Sequence, residues 1–288
     1  MEFNKGDRVR NPKMLGWGVG EVLEDTAGGD RVRVFFVGAG EKLISLNHVG
    51  LEKVTGLEAA HMVLDNLKLP KAGEVIKYHS LEESVEFFKA EFPEGFYGDK
   101  YRAHERDYKD KAHRLFVEEL GKDVFGQLLA EERFDEISRR ALRLCNATNL
   151  IFPNEKMALK GGLLESDNQK RFSLGLYDLL YGEGELEPRF TAFARVLEHL
   201  NAAKWTTMTY FLFFAHPDTH MFVKPTIAKH ASELSAFEIN YKPELNWLTY
   251  KSILNFSRYL ASNLEALEPR DMIDIQSFMW CIAPGNYS

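Results

Sequence analysis

The sequence changes character at Thr55-Gly56, and this change limits the fold more than any other feature. Residues 1–54 consist of short alternating or β-branched runs, separated by turns rich in Gly, Pro and Asp. Beyond that point apolar residues recur at helical spacing through most of the chain. The sequence therefore predicts a mainly α protein with a small β barrel, divided into a barrel in residues 1–54 and an all-α domain in residues 55–288.

The alternation of apolar and polar residues indicates where the strands of the barrel lie. Strands are expected at 7–10, 18–24, 31–37 and 41–46. In the third of these, Val32, Val34 and Phe36 fall on one face, which should line the core. These four strands and a fifth short strand in the same segment suggest an SH3-like barrel.

Three motifs in this segment point to a family. They are Gly6-Asp7-Arg8-Val9-Arg10-Asn11-Pro12-Lys13, then Gly18-Val19-Gly20-Glu21-Val22, then Val34-Phe35-Phe36 followed by Gly38-Ala39-Gly40-Glu41-Lys42. In this order they resemble the Tudor-like tail of bacterial repair helicases, and the same pattern occurs in a small bacterial domain of unknown function. The resemblance implies a docking module for RNA polymerase or nucleic acid.

Five side chains are candidates for such docking. They are Arg8, Arg10, Trp17, Arg31 and Arg33. Trp17 stands where the family usually has a small residue. It is therefore either a surface anchor or a lid on the end of the barrel.

Another motif lies late in the chain, in the helical part. The apolar run from Met208 to Ala215 leads into His216-Pro217-Asp218-Thr219-His220. This pattern predicts an apolar helix, a sharp turn and a second helix opened by Asp-Thr-His. It resembles the helix-hairpin-helix DNA glycosylases, in which the Asp of a similar segment is the catalytic carboxylate.

The resemblance implies that Asp218 is the catalytic residue of a glycosylase. Cleavage of an N-glycosidic bond develops positive charge on the sugar, and a fixed carboxylate stabilises that charge. A helix N-terminus would also keep the Asp ionised. The alternative is that Asp218 only caps the next helix, as Asp often does.

The segment upstream of this motif matches the family less well. Residues 200–204 lack the hairpin glycines that approach a DNA phosphate in the family. Lys204 is either a nucleophile that forms a Schiff base or a solvated lysine at a helix start. Its interval to Asp218 is shorter than in members with lyase activity, so a monofunctional enzyme is expected.

The same resemblance implies contacts with DNA and a pocket for a flipped base. The expected DNA contacts are Lys204, Trp205, Thr206, His220, Lys224 and Lys229. Tyr241 and Trp247 could stack on an extruded base, and could equally fill the helical core.

The charge of the whole chain argues against DNA binding, whereas the local charge near Asp218 favours it. The net charge is −7, which argues against binding by bulk charge. Within residues 201–230, however, Asp218 is the only acid beside three lysines. A single carboxylate in a basic segment suits a glycosylase and also arises by chance.

The sequence predicts no metal and no cofactor. His216 and His220 have ligand spacing, but Pro217 breaks a helix between them. Asp271 and Asp274 could share a helix face and bind a cation, although a charge cluster at a helix start explains them more simply.

The leading hypothesis is thus a DNA-base glycosylase that flips a base in double-stranded DNA, in DNA repair or in defence against phage. The alternative is a non-enzymatic adaptor that docks on RNA polymerase through the barrel. Without a long apolar run or a signal sequence, a cytoplasmic protein with no membrane partner is expected.

Overall fold

The structure is a computed structural model that describes residues 2–24, 26, 28–69 and 81–287. Two compact units make up the chain. One comprises Met1–Glu91 with Lys229–Ile239, and the other comprises Phe92–Ala228 with Asn240–Ser288. The prediction of a mainly α protein with a small N-terminal sheet is confirmed.

Five antiparallel strands form the N-terminal sheet. They are β1 (Arg8–Arg10), β2 (Val19–Val22), β3 (Arg31–Phe36), β4 (Gly40–Ser45) and β5 (Glu52–Lys53). The order is β4-β3-β2-β1-β5, and no ladder joins β4 to β5 in the described part of the chain. The expected closed barrel is therefore an open sheet, because the two residues of β5 pair only with β1.

One face of this sheet carries its core. Val32, Val34 and Phe36 are at most 1% exposed, which confirms the predicted alternation. On β2, a Cβ at Gly20 would lie 2.7 Å from the side chains of Phe36 and Val34, so only glycine fits there. Burying each large apolar side chain contributes about 1.5–3 kcal/mol, which outweighs the modest propensity of such short strands.

The first unit also includes residues beyond the sheet. Helices α1 (Met62–Asp65) and α2 (Leu81–Glu91) belong to it. Arg8 donates a hydrogen bond to the carbonyl oxygen of Ala59 and pairs with Asp65 at 3.2 Å. These contacts connect the sheet to the residues that follow it.

The second unit is helical. Its helices, together with α11, which begins in it, are α3 (Asp99–Tyr101), α4 (Asp107–Leu120), α5 (Lys122–Ala130), α6 (Phe134–Asn146), α7 (Pro153–Gly162), α8 (Ser166–Tyr181), α9 (Leu186–His199), α10 (Trp205–Ala215), α11 (Pro225–Leu234), α12 (Trp247–Asn263) and α13 (Met272–Cys281). A π-helical turn, Arg102–Arg106, joins α3 to α4. Such turns are rare and often occur at functional sites.

Two helices form the centre of this unit. Every residue of α10 from Trp205 to Phe214 is buried, and so is every residue of α13 from Met272 to Met279. Helices that are buried on all sides are typical of a protein interior, and the polar residues of α13 therefore need partners. In the described part of the chain, no helix has both the length and the apolar character needed to cross a membrane.

Candidate functional site

The Asp218 segment differs from the prediction. Helix α10 ends at Ala215 as the apolar run indicates, but the next helix begins only at Pro225. Asp218 thus neither opens nor caps a helix, so the expected helix start and the alternative cap are both wrong, while its catalytic role stays a prediction. Two features hold the chain before α11 extended. Pro225 disfavours helix in the residue before it, and the Val223 amide donates a hydrogen bond of 2.8 Å to Thr209 Oγ1.

Asp218 is exposed on a turn and lines a cleft of about 490 Å³, which we call the Asp218 cleft. Arg106 and Asp271 also line it, and they form a bidentate pair at 2.6 and 2.7 Å. The Pro217 carbonyl oxygen accepts a hydrogen bond from the Met272 amide at 2.8 Å. The turn is therefore anchored to the first residue of α13, whose N-terminus lies in the same cleft as Asp218.

His220 points inward from the same turn. Its Nδ1 is buried and has no hydrogen-bond partner among the described residues, and its ring lies 5.7 Å from that of His216. Burial and the neighbouring His216 lower the pKa of His220 to about 4. His220 is therefore neutral at neutral pH, which makes it unsuited to contact a DNA phosphate.

Two of the expected DNA contacts are interior residues. Trp205 is 3% exposed and donates its Nε1–H to the Lys242 carbonyl oxygen at 2.9 Å. Thr206 is 2% exposed and donates to Glu155 Oε2 at 2.7 Å. The prediction that these side chains contact DNA is wrong, because the buried helix α10 begins at Trp205. Lys204, which precedes it, is exposed.

The residues expected to hold a base do not line either of the clefts described here. The Trp247 ring packs against Phe190 at 5.7 Å and Tyr250 at 6.0 Å, as the alternative core role requires. Tyr241 is partly buried, and burial raises its pKa. Lys229 is exposed on α11.

A different cleft gathers side chains from four separate segments, and we call it the Gln276 cleft. It is lined by His104, Glu105, Tyr108 and Lys109 from the π turn and α4, by Ala147–Leu150 after α6, by Lys224, and by Gln276 and Trp280 of α13. Its volume is about 450 Å³. This lies in the range of small-molecule sites, roughly 300–1,000 Å³.

A buried ion pair lies at this cleft. Lys109 is 1% exposed and its Nζ lies 3.2 Å from Glu105 Oε2 and 2.7 Å from Ser277 Oγ. Tyr287 donates its hydroxyl to Glu105 Oε1 at 2.5 Å. Burial lowers the pKa of Lys109, and the charge of Glu105 opposes that effect. Burying two charges is costly, and the contacts with Ser277 and Tyr287 offset part of that cost for this pair.

Gln276 is the least satisfied polar group of the cleft. It is 4% exposed, and its Oε1 has no hydrogen-bond partner among the described residues. Leaving such a group unpaired costs about 1–3 kcal/mol. A ligand with a hydrogen-bond donor would remove that cost.

Lys224 supplies a positive charge at the cleft. Its Nζ lies 4.9 Å from the centre of the Phe152 ring and 4.6 Å from that of Trp280. Burial lowers the pKa of Lys224, whereas both rings favour its charged form. The charge of Glu155 also favours the charged form, but no carboxylate in the described ranges forms an ion pair with Lys224, so its charge can still attract an anion.

A charged network fixes α13 against the π turn. Asp274 is fully buried and accepts hydrogen bonds from Tyr101, Arg106 and Arg270. Burial acts to raise the pKa of Asp274, but the arginines outweigh it and lower that pKa. Asp271 caps α13, so the simpler interpretation of this acidic pair as a helix-start cluster is confirmed. No group of three or more metal-ligating side chains occurs in the part of the chain that the structure describes.

Little in the sequence indicates this cleft. Lys224 was expected to contact nucleic acid, but Glu105, Lys109 and Gln276 were not singled out. The available signal was the polar pair Gln276-Ser277 inside the apolar run of α13. A polar pair inside an otherwise buried helix needs partners or a ligand.

The candidate docking residues of the sheet fall into two groups. Arg8 pairs with Glu21 at 3.0 Å, and Arg33 hydrogen-bonds to Glu41 at 2.7 Å, so both stabilise the sheet itself. Arg10 lies 3.8 Å from Glu58, while Arg31 is exposed. These intramolecular pairs make the first two arginines poor candidates for docking.

Trp17 is partly buried, 5.2 Å from the Phe36 ring, and the Lys42 ammonium lies 5.8 Å from its ring centre. Its ring therefore covers part of the sheet core, as a lid would, while part of it remains accessible.

Comparison with known proteins found one match. Residues 3–54 match the model of a family described as a protein of unknown function (DUF3553). This agrees with the resemblance to a small domain of unknown function and concerns only the N-terminal sheet. No curated protein and no solved structure matched the chain.

Proposed function

We propose that the helical unit is a DNA-base glycosylase that holds an extruded base in the Gln276 cleft. The observation that supports this most is the buried Gln276 Oε1, which has no hydrogen-bond partner among the described residues, in a cleft that also contains aromatic side chains and a cation. A base offers a flat ring and a hydrogen-bonding edge, and its nucleotide adds a phosphate. Each of these features has a counterpart in the cleft.

The proposed reaction is hydrolysis of the N-glycosidic bond. The bond between C1′ and the base nitrogen breaks, and the oxygen of a water molecule bonds to C1′. The water loses a proton, and the departing base nitrogen takes up a proton. Positive charge develops on the sugar during this step. Glu105 is the one carboxylate among the residues that line the Gln276 cleft, so we assign the stabilising role to it rather than to Asp218.

Two variants test this assignment. Glu105→Gln removes the charge, and it should lower base release by roughly 10²–10³-fold, as loss of a preorganised electrostatic group does. Asp218→Asn is the matched control at the Asp218 cleft and should leave base release unchanged. The assay is incubation with DNAs of differing modification, scored for abasic sites.

The buried pair with Lys109 requires a folding control. Melting temperatures should be measured for both variants, and Glu105→Asp, which retains the charge, should recover part of the activity. If Asp218→Asn loses activity while Glu105→Gln keeps it, the sequence-based choice of carboxylate is right and ours is wrong. Absence of abasic sites with every DNA would contradict the glycosylase proposal itself.

For the N-terminal sheet we propose docking on RNA polymerase or duplex DNA, supported by its resemblance to helicase tails and by the accessible part of Trp17. A non-enzymatic adaptor is the second candidate, because the family match is confined to this sheet. An adaptor would keep its cellular function in Glu105→Gln, whereas a glycosylase in repair or phage defence would lose it.

A further inference from the structure

We infer that the Gln276 cleft selects nucleotides whose base carries an exocyclic amino group, as adenine and cytosine do, over the deaminated bases hypoxanthine and uracil. This inference rests on the proposed function in taking the ligand to be a nucleotide. It goes further in naming the edge of the base that is read.

The first step is the hydrogen-bonding character of Gln276. Its Oε1 is an acceptor, is buried and lacks a donor. An exocyclic amino group supplies that donor, whereas a carbonyl in the same position would place two acceptors face to face. The amide nitrogen can also donate to the neighbouring ring nitrogen, as in the pairing by which Gln reads adenine.

The second step concerns why a ligand should supply this donor. Lys109 also lines the cleft, but its ammonium is held by Glu105 and Ser277. Lys224 is held between two aromatic rings. With both lysines of the lining placed in this way, neither of them donates to Gln276 Oε1, which has no donor among the described residues.

The third step is the charge of the lining. Lys109 and Lys224 face a single carboxylate, Glu105, so the lining has an excess of positive charge. Lys109 forms a direct ion pair with Glu105, whereas Lys224 forms none among the described residues and is opposed by Glu155 only at longer range. A ligand with a phosphate therefore suits the Lys224 side of the cleft, and its base suits Gln276.

The test is calorimetry on the full chain with AMP against IMP and with dCMP against dUMP. Each pair differs at the group that Gln276 would read. The amino nucleotide should bind at least about tenfold more tightly, because the carbonyl analogue leaves the buried amide unpaired. An oligothymidylate with one adenine, compared with one hypoxanthine, shows whether the base is taken from a strand or from a free nucleotide.

Variants locate the effect. Gln276→Met retains the side-chain volume and should abolish the preference, while Gln127→Leu changes an exposed glutamine of α5 and should keep it. Lys224→Gln should remove the advantage of AMP over adenosine without changing the preference for the amino group. Melting temperatures establish that each variant is folded.

Preference for adenine in either the free or the strand form supports the inference. Equal binding of AMP and IMP, a preference retained in Gln276→Met, or no nucleotide binding in either form overturns it. The outcome is separable from that of the glycosylase proposal. Amino-group preference without abasic sites would leave the inference standing and remove only the reaction.

Discussion

His220 is a titratable side chain in surroundings that oppose its charge. Its ring lies among Tyr250 and His216, and its Nδ1 is buried without a partner. Burial is the largest cause of its lowered pKa of about 4. The folded protein therefore holds this imidazole neutral over a pH range in which an unfolded chain would protonate it.

This difference predicts a loss of stability in mild acid. The folded pKa lies below the ordinary value of about 6.5, so the contribution of neutral His220 is fully present above pH 6.5 and is lost as the pH falls toward 4. Between pH 7.5 and pH 5 the free energy of unfolding should fall by about 2 kcal/mol because of this residue. Urea unfolding of wild type and His220→Gln at both pH values measures it.

His199→Gln is the matched control, because His199 is exposed and its ring hydrogen-bonds to Asn168. His199→Gln should show the same fall in the free energy of unfolding between the two pH values as wild type. His220→Gln should show most of that fall removed. An equal drop in both variants would show that other groups cause the acid sensitivity.

At the scale of elements, α10 decides which sequence candidates can act together. Lys204 precedes the helix and Asp218 follows it, with the eleven residues Trp205–Ala215 between them. At 1.5 Å per residue the two ends are roughly 16 Å apart. Lys204 and Asp218 therefore flank opposite ends of α10, which argues against their acting on the same sugar.

The protein should accordingly act without a covalent intermediate at Lys204. Borohydride added during the reaction should trap no protein–DNA adduct, and Lys204→Ala should release base at the wild-type rate. Gel electrophoresis of the treated complex gives the measurement. An adduct that forms with wild type and disappears in Lys204→Ala would require α10 to rearrange on binding DNA.

Local pattern was enough to predict elements whose residues carry their own signal. The strand alternation at Val32–Phe36 and the apolar run of α10 both appear in the structure. The helix expected at Asp218 does not, because burial of Met221–Val223 holds that segment extended. The Gln276 cleft was beyond prediction for a related reason. Its walls come from segments far apart in the chain, and only packing brings them together.

At the scale of the whole molecule, both clefts belong to one unit. All the residues that line them lie within Phe92–Ala228 and Asn240–Ser288. The N-terminal sheet has a separate core of its own, which includes Phe3, Val9, Val22 and Leu51. Chemistry and docking are thus assigned to different parts of the chain.

This division predicts the effect of removing residues 1–54. The truncated protein should release base from a short oligonucleotide at the wild-type rate, because every residue of the Gln276 cleft remains. Its recovery with RNA polymerase or long duplex DNA in a pull-down should fall, and Trp17→Ala in the full chain should weaken the same binding. The cut also removes the Arg8 contacts with Ala59 and Asp65, so thermal stability should fall. Circular dichroism establishes that the helices persist. A truncated protein that keeps its helical signal but cannot act on the oligonucleotide would show that the sheet takes part in the active groove.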